Sequence, residues 1–276
     1  MVVGHGMPRR FLGDDRGFSL LEILIALSTF FIVLFAVYTT FDTSQATYAA
    51  GEQRADIQQN ARVAMEVIGA DLRLAGYGFP TGAGNVITAA NATSITFWGD
   101  VMGASTTICN PDVGTGITTF NVADVSGIQA GDTIYLINGG QSEQLTVQSV
   151  NITPDLPPPA VPCDTPDTIT TTTGTAAAYP WGSQVGRPSS IQFSWAANTL
   201  SKDDGEGGGL QPLADNIQNF QLQYFDAADN LIAAPVPVLN LPNIRRMTIS
   251  FTAQSPQGPW RQQNFNIVSD IRPRNL

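Results

Sequence analysis

Few side chains in this sequence could take part in chemistry. One group of acidic residues, Asp203, Asp204 and Glu206, lies in the stretch SKDDGEGGGL. Carboxylates at close spacing can act as general acid and base, or can bind calcium through their hard oxygens. The glycines around them indicate a turn without the rigid frame that catalysis needs, and the residue order departs from an EF-hand loop. We expect a solvated turn and no cofactor, with calcium at these three carboxylates as the open alternative.

The sequence contains almost no residues that could support histidine-based catalysis. His5 is the only histidine and Lys202 is the only lysine. A Ser-His or Cys-His relay, or a zinc site with a histidine ligand, would have to depend on His5. We therefore expect no catalytic residues and a protein that is not an enzyme.

The two cysteines, Cys109 and Cys163, are separated by 54 positions. This spacing does not match a CxxC metal or redox motif. One disulfide formed in an oxidising compartment and two unpaired buried thiols both fit the sequence, and we expect the disulfide.

An apolar run from Phe18 to Tyr38 carries one carboxylate, Glu22, near its start. The run has about 21 residues, enough for a helix to cross the roughly 30 Å hydrocarbon layer of a membrane. A carboxylate in hydrocarbon costs about 2.5 kcal/mol or more, so such a residue normally has a partner. The sequence thus predicts a membrane-spanning helix over 18–38 and a functional role for Glu22.

The composition describes the rest of the chain. Of its 276 residues 43% are hydrophobic and 13% are charged, with 26 glycines and 18 prolines, which is typical of a secreted, loop-rich β protein. The net charge of -10 repels phosphate backbones. We therefore expect no direct binding of nucleic acid.

The stretch GFSLLE, Gly17 to Glu22, follows a segment with basic residues and resembles the leader junction of type IV prepilins and type II secretion pseudopilins. In that family a dedicated prepilin peptidase cuts after the glycine and methylates the new N-terminal phenylalanine. The resemblance implies a leader peptide over 1–17, cleavage between Gly17 and Phe18, and N-methylation of Phe18. His5 would be removed with the leader.

The same resemblance implies a role for Glu22. Its carboxylate would pair with the N-terminal amine of a neighbouring subunit, as an assembly salt bridge within a filament. Desolvation offsets much of the Coulomb gain of a buried ion pair, so we expect this pair to set register more than to add stability.

Helical periodicity continues beyond the membrane segment. Apolar residues recur at three- and four-residue spacing between Ile57 and Ala75, and Gly76 and Gly78 follow as residues that end helices. We expect one long helix over 18–76, with Gly51 as a candidate kink, whose second half packs against a head domain.

Residues 77–276 read as a β-rich head, because short alternating runs are separated by Gly, Pro, Asn and Asp. Phe220, Leu222 and Tyr224, for example, would share one strand face. An insert at about 99–188 holds both cysteines, and we expect a small β subdomain or an elaborated loop there. The predicted strands are Ser94–Trp98, Ile117–Val122, Thr133–Ile137, Gln144–Val150, Ser190–Trp195, Ile217–Phe225, Arg246–Ala253 and Gln262–Val268.

Two tryptophans, Trp181 and Trp260, lie in loop-rich parts of the head. Exposed aromatic side chains could serve adhesion, but tryptophan is more often a packing residue. We expect packing for both.

The helix stretch IQQNARVAMEVIGADLRLAGYG and the later stretches LQPLADNIQNFQLQYFDAADN and IRRMTISFTAQS resemble the PilW group of minor pilins. The resemblance implies an α+β, type IV pilin-like fold, with the long N-terminal helix packed on an antiparallel β-sheet head that carries an inserted β subdomain. It also implies a structural subunit that helps to initiate type IV pilus assembly in the tip complex, for motility, adhesion or DNA uptake.

The implied partners are the prepilin peptidase, other minor pilins, the major pilin, the inner-membrane assembly platform and the inner membrane. The protein would first be a single-pass inner-membrane protein with its head in the periplasm, and would then join the pilus at the cell surface. A J-type minor pseudopilin of a type II secretion system shares these motifs and stays open as an alternative. A membrane-tethered adhesin is the third hypothesis.

Overall fold

The computed structural model describes residues 19–154, 163–255 and 263–276. The chain divides into two compact units, Met1–Glu52 and Gln53–Leu276. The boundary falls inside helix α1, Leu20–Arg73. The second unit contains the last part of α1 and the strands of the described residues.

In the first unit, α1 exposes apolar side chains. Its large hydrophobic residues between Leu20 and Tyr38 are 50% to 80% exposed. Among the described residues, α1 is the one helix long and apolar enough to cross a membrane. This finding is consistent with single-pass membrane anchoring, as the sequence predicts.

In the second unit, α1 buries one face. The buried residues Ile57, Ala61, Ala64, Ile68 and Leu72 follow one another at three- and four-residue spacing, which places them on one side of an α-helix. The helical assignment continues through Gly51 and ends at Arg73, before the expected residue 76.

The chain leaves the helix through Gly76, whose φ of 84° lies in the left-handed region. A Cβ atom at this position would lie 2.4 Å from the backbone oxygen of Asn275. Glycine therefore satisfies both the backbone angle and the close approach of the C-terminal segment.

Fifteen strands and one short 3₁₀-helix, Val238–Asn243, are the other regular elements among the described residues. The strands are β1 (Ile87–Ala90), β2 (Ser94–Gly99), β3 (Thr106–Thr107), β4 (Thr119–Val122), β5 (Thr133–Asn138), β6 (Gln141–Asn151), β7 (Asp167–Thr171), β8 (Gln184–Gly186), β9 (Ser189–Ala196), β10 (Thr199–Asp203), β11 (Gln211–Ala214), β12 (Ile217–Phe225), β13 (Leu231–Ile232), β14 (Arg246–Gln254) and β15 (Asn264–Ile271).

Two antiparallel sheets pack with the buried face of α1. A five-stranded sheet has the order β1-β2-β9-β10-β11, and a four-stranded sheet has the order β13-β12-β14-β15. Side chains from α1 and from both sheets share one hydrophobic core, which includes Ile68, Phe97, Phe193, Tyr224 and Phe251. We call this part of the second unit the head.

A third, six-stranded antiparallel sheet has the order β3-β8-β5-β6-β7-β4. It encloses a separate hydrophobic core that includes Ile108, Phe120, Ile134, Leu136 and Tyr179. This sheet and its core lie within the range 99–188, where the sequence suggests a β subdomain or a loop. We call residues 104–186 the insert module.

The α+β class and the antiparallel pairing predicted from the sequence are confirmed. Phe220, Leu222 and Tyr224 are buried on one face of β12, as expected. A bulge between Gln218 and Gln221 brings Ile217 onto the same buried face, which simple alternation from Phe220 would not do. The last predicted strand is observed as β15, and its expected first residue, Gln262, lies outside the described residues.

Candidate functional site

Glu22 lies in the first turn of α1. The N–H groups of Glu22 and Ile23 donate to the carbonyl of Ser19 at 2.9 and 3.2 Å, so the helix starts directly before the carboxylate. The positive end of a helix dipole favours a negative charge at such a place. Chemically, this carboxylate can accept hydrogen bonds from an ammonium group. Gly17 and Phe18, the expected cleavage and methylation sites, lie outside the described residues, as do His5 and the rest of the expected leader.

Two hydroxyl groups in the apolar segment form hydrogen bonds within the helix. Ser28 and Thr29 donate to the carbonyls of Leu24 and Ile25 at 2.8 and 2.9 Å. Hydroxyls bonded in this way do not need water, which suits hydrocarbon surroundings. Glu22 is the only acidic or basic side chain between Leu20 and Tyr38, so it is the one group there that requires a charged partner.

An ion pair joins the other end of α1 to the head. Lys202 Nζ on β10 lies 2.7 Å from Asp71 Oδ2, and the Asp71 side chain is only 12% exposed. Burial raises the pKa of Asp71, while the hydrogen bond and the charge of Lys202 oppose that rise. The pair therefore fastens the buried face of α1 to the five-stranded sheet.

The three acidic residues singled out in the sequence, Asp203, Asp204 and Glu206, accept hydrogen bonds within the fold. Glu206 accepts hydrogen bonds from Nη1 and Nη2 of Arg187, both at 2.7 Å. Asp203, at the end of β10, and Asp204 accept backbone N–H groups of their own turn. The described parts of the chain contain no group of three or more His, Cys, Asp or Glu side chains placed to hold a metal ion. Calcium binding stays an untested alternative for this turn.

Cys109 and Cys163 form a disulfide, with Cα atoms 5.5 Å apart. The expected pairing is therefore observed, and the alternative of two unpaired thiols is wrong. Cys109 is fully buried, and the bond ties the region after β3 to the chain that enters β7.

Trp181 does not pack as expected, because its side chain is 65% exposed. It follows Pro180 and precedes Gly182 in a turn before β8, and its backbone N–H donates to Asp112 at 2.7 Å. The turn holds the backbone in place and directs the indole outward. Trp260 lies outside the described residues.

The sequence did not predict two contacts, namely the Asp71–Lys202 ion pair and the pairing of Arg187 with two carboxylates. The sequence does signal that Asp71 needs a partner, because an acid between Ile68 and Leu72 lies on a buried helix face, but it does not show which cation provides it. Arg187 offered no such signal, because the stretch VGRPSS has no periodicity and its partners lie far away along the chain.

No family model, curated protein or solved structure matches this chain.

Proposed function

We propose that this protein is a minor pilin of the PilW group, a structural subunit and not an enzyme, that helps to initiate type IV pilus assembly from the tip complex. The observation that carries the proposal is the junction GFSLLE directly before an apolar helix, with Glu22 in the first turn of that helix.

The physical requirement of Glu22 supports this role. The apolar side chains of α1 meet similar surroundings in lipid and in a bundle of apolar helices, so their transfer into a filament costs little. The carboxylate differs, because it is costly in hydrocarbon unless a cation is near. Cleavage before Phe18 would create an amine on each subunit, and pairing Glu22 with the amine of a neighbour would fix the register of adjoining helices.

The head would select the partners. Its core and the Asp71–Lys202 pair hold the second half of α1 on the sheets, so a partner that docks on the head would also position that part of the helix. The partners in this proposal are other minor pilins and the major pilin. The prepilin peptidase and the inner-membrane assembly platform would act before them.

The proposed location follows the same route. The protein would enter the inner membrane as a single-pass protein with its head in the periplasm, and later reach the cell surface in the pilus. The Cys109–Cys163 disulfide supports an oxidising compartment for the insert module, and so for the head to which it is joined.

Mass spectrometry of the N-terminal peptide tests maturation. The proposal predicts a mature chain that begins with N-methylated Phe18. Gly17→Val should block cleavage, whereas Gly13→Val, a matched change within the leader, should permit it. A mature chain that starts elsewhere, or an unmodified full-length chain, would contradict the proposal.

A gene deletion separates the pilus from the type II secretion alternative. The proposed function predicts loss of surface pili with normal export of secreted proteins. Loss of exported proteins with normal pili would instead identify a J-type minor pseudopilin.

A further inference from the structure

Two short segments of the chain join the head and the insert module. The chain passes from β2 to β3 through residues 100–105, and returns from β8 to β9 through Arg187 and Pro188. The two hydrophobic cores contain different residues. The orientation of the module on the head therefore depends on contacts near these two short segments.

Arg187 lies in the returning segment and contacts both sides. Its Nε donates to Asp132 Oδ2 of the insert module at 2.9 Å, and its Nη2 reaches Asp132 Oδ1 at 3.3 Å. Its Nη1 and Nη2 donate to the two carboxylate oxygens of Glu206, in the head turn between β10 and β11, at 2.7 Å each. The Arg187 side chain is only 11% exposed. One guanidinium thus binds a carboxylate from each part through paired hydrogen bonds, which is the strongest geometry available to arginine.

The carboxylate of Asp132 and the backbone of Glu206 are held in place by their own turns. Asp132 Oδ2 accepts the N–H of Gln129 at 2.8 Å. The Glu206 N–H donates to Asp204 Oδ1 at 3.1 Å. Gly205 has a φ of 78°, and a Cβ atom there would lie 2.7 Å from the carbonyl oxygen of Ser190 on β9. The turn that looked mobile in sequence is therefore placed closely against the head and presents Glu206 to Arg187.

We propose that Arg187, Asp132 and Glu206 form a latch that fixes the orientation of the insert module on the head. Without Arg187, two carboxylates with no cation between them face each other across the connection and repel. This inference does not depend on the proposed function.

Other contacts between the head and the module lie near the latch, and we expect the module to move about them when the latch opens. Phe79 packs edge to face on Tyr135 of the module with ring centroids 5.6 Å apart. Gly78 and Gly186 approach so closely that a Cβ atom on Gly186 would lie 2.0 Å from the Gly78 oxygen. These contacts act as a pivot. A cleft of 720 Å³ beside the pivot is lined by both parts, including Ile137 of the module, so its width would change with the motion.

Spin-label distance measurements on the full chain in detergent micelles test the latch. Nitroxides are attached at Gln144→Cys on β6 and Gln221→Cys on β12, two exposed positions on the module and on the head. The native cysteines form a disulfide and do not react with the label. The unaltered latch predicts one narrow distance distribution, and Arg187→Gln predicts its loss in favour of a broad one.

Arg246→Gln is the matched control. Arg246 also pairs with two carboxylates, Asp229 and Asp270, but all three residues belong to the head. This variant should keep the narrow distribution. Should Arg187→Gln fail to fold, Glu206→Gln replaces it and should broaden the distribution in the same direction. An unchanged distribution in a folded latch variant with its disulfide intact, or equal broadening in Arg246→Gln, would overturn the inference.

Discussion

At the scale of single residues, the buried charge Asp71 shows how one contact joins helix to sheet. Its carboxylate lies on the buried face of α1, and Lys202 is 2.7 Å away. A buried carboxylate that loses its cation keeps the full cost of desolvation. Removing one partner therefore destabilises the fold by more than the intact pair stabilises it.

Lys202→Met is expected to lower the free energy of unfolding at pH 7 by about 2 kcal/mol, because Asp71 is left buried without its partner. Lys202→Arg keeps the positive charge and should lose less. Chemical denaturation of the full chain in detergent measures both. Equal stability of Lys202→Met and the native protein at pH 7 would show that Asp71 reaches water on its own.

The stability deficit of Lys202→Met, which is its loss in free energy of unfolding relative to the native protein, should depend on pH in a defined direction. Burial raises the pKa of Asp71 above its ordinary value of 3.8, and Lys202 limits that rise. A group with a raised folded pKa contributes stability that is present below its unfolded pKa and is lost as the pH rises through the folded pKa. Because the variant lacks Lys202, its folded pKa should be higher still. The deficit should therefore shrink as the pH falls toward 3.8, and a deficit that grows in acid would contradict this account.

Among the elements, the longest strands show the clearest pattern in the sequence, although the four-residue β4 is also within a predicted strand. The nine residues of β12 and of β14 alternate long enough to show a period of two. The strands β1, β3, β7, β8, β10, β11 and β13 have two to five residues each and are not among the predicted strands. Such short segments form strands because a neighbour pairs with them, and a single sequence does not display that neighbour.

The disulfide should stabilise the insert module more than the head. Cys109 and Cys163 close a loop with a separation of 54 positions inside the insert module, which has its own hydrophobic core. Loop-closure entropy assigns such a cross-link about 4 kcal/mol. The double variant Cys109→Ala with Cys163→Ala should therefore destabilise mainly the module.

Hydrogen exchange resolved by segment measures this effect. Amides of β5, β6 and β7 in the module should exchange faster in the double variant, while amides of β12 and β14 in the head should keep their protection. Equal loss of protection in both groups would show that the two cores unfold together.

At the scale of the whole molecule, the sequence predicted the broad organisation. An apolar N-terminal helix, antiparallel sheets and a disulfide-containing insert follow from hydrophobic periodicity, turn residues and two cysteines. The contacts that orient the parts do not follow, because Arg187, Asp132 and Glu206 come together only after three separate segments have folded. Cleavage after Gly17 and methylation of Phe18 remain predictions from the sequence alone.

We propose that Glu22 serves assembly and not anchoring. Glu22→Ala should leave leader cleavage and membrane insertion intact, because the apolar surface of α1 is unchanged. The number of surface pili should fall about tenfold, because adjoining helices lose the pair that sets their register; a tenfold change corresponds to about 1.4 kcal/mol. Glu52→Ala, which removes another exposed glutamate of α1 outside the apolar segment, is the control and should leave the pili unchanged.

Electron microscopy counts the pili per cell, and an immunoblot detects the processed protein. The account predicts processed, membrane-bound Glu22→Ala protein on cells with few pili, and normal pili with Glu52→Ala. Normal pili on cells that carry only the Glu22→Ala protein would contradict it.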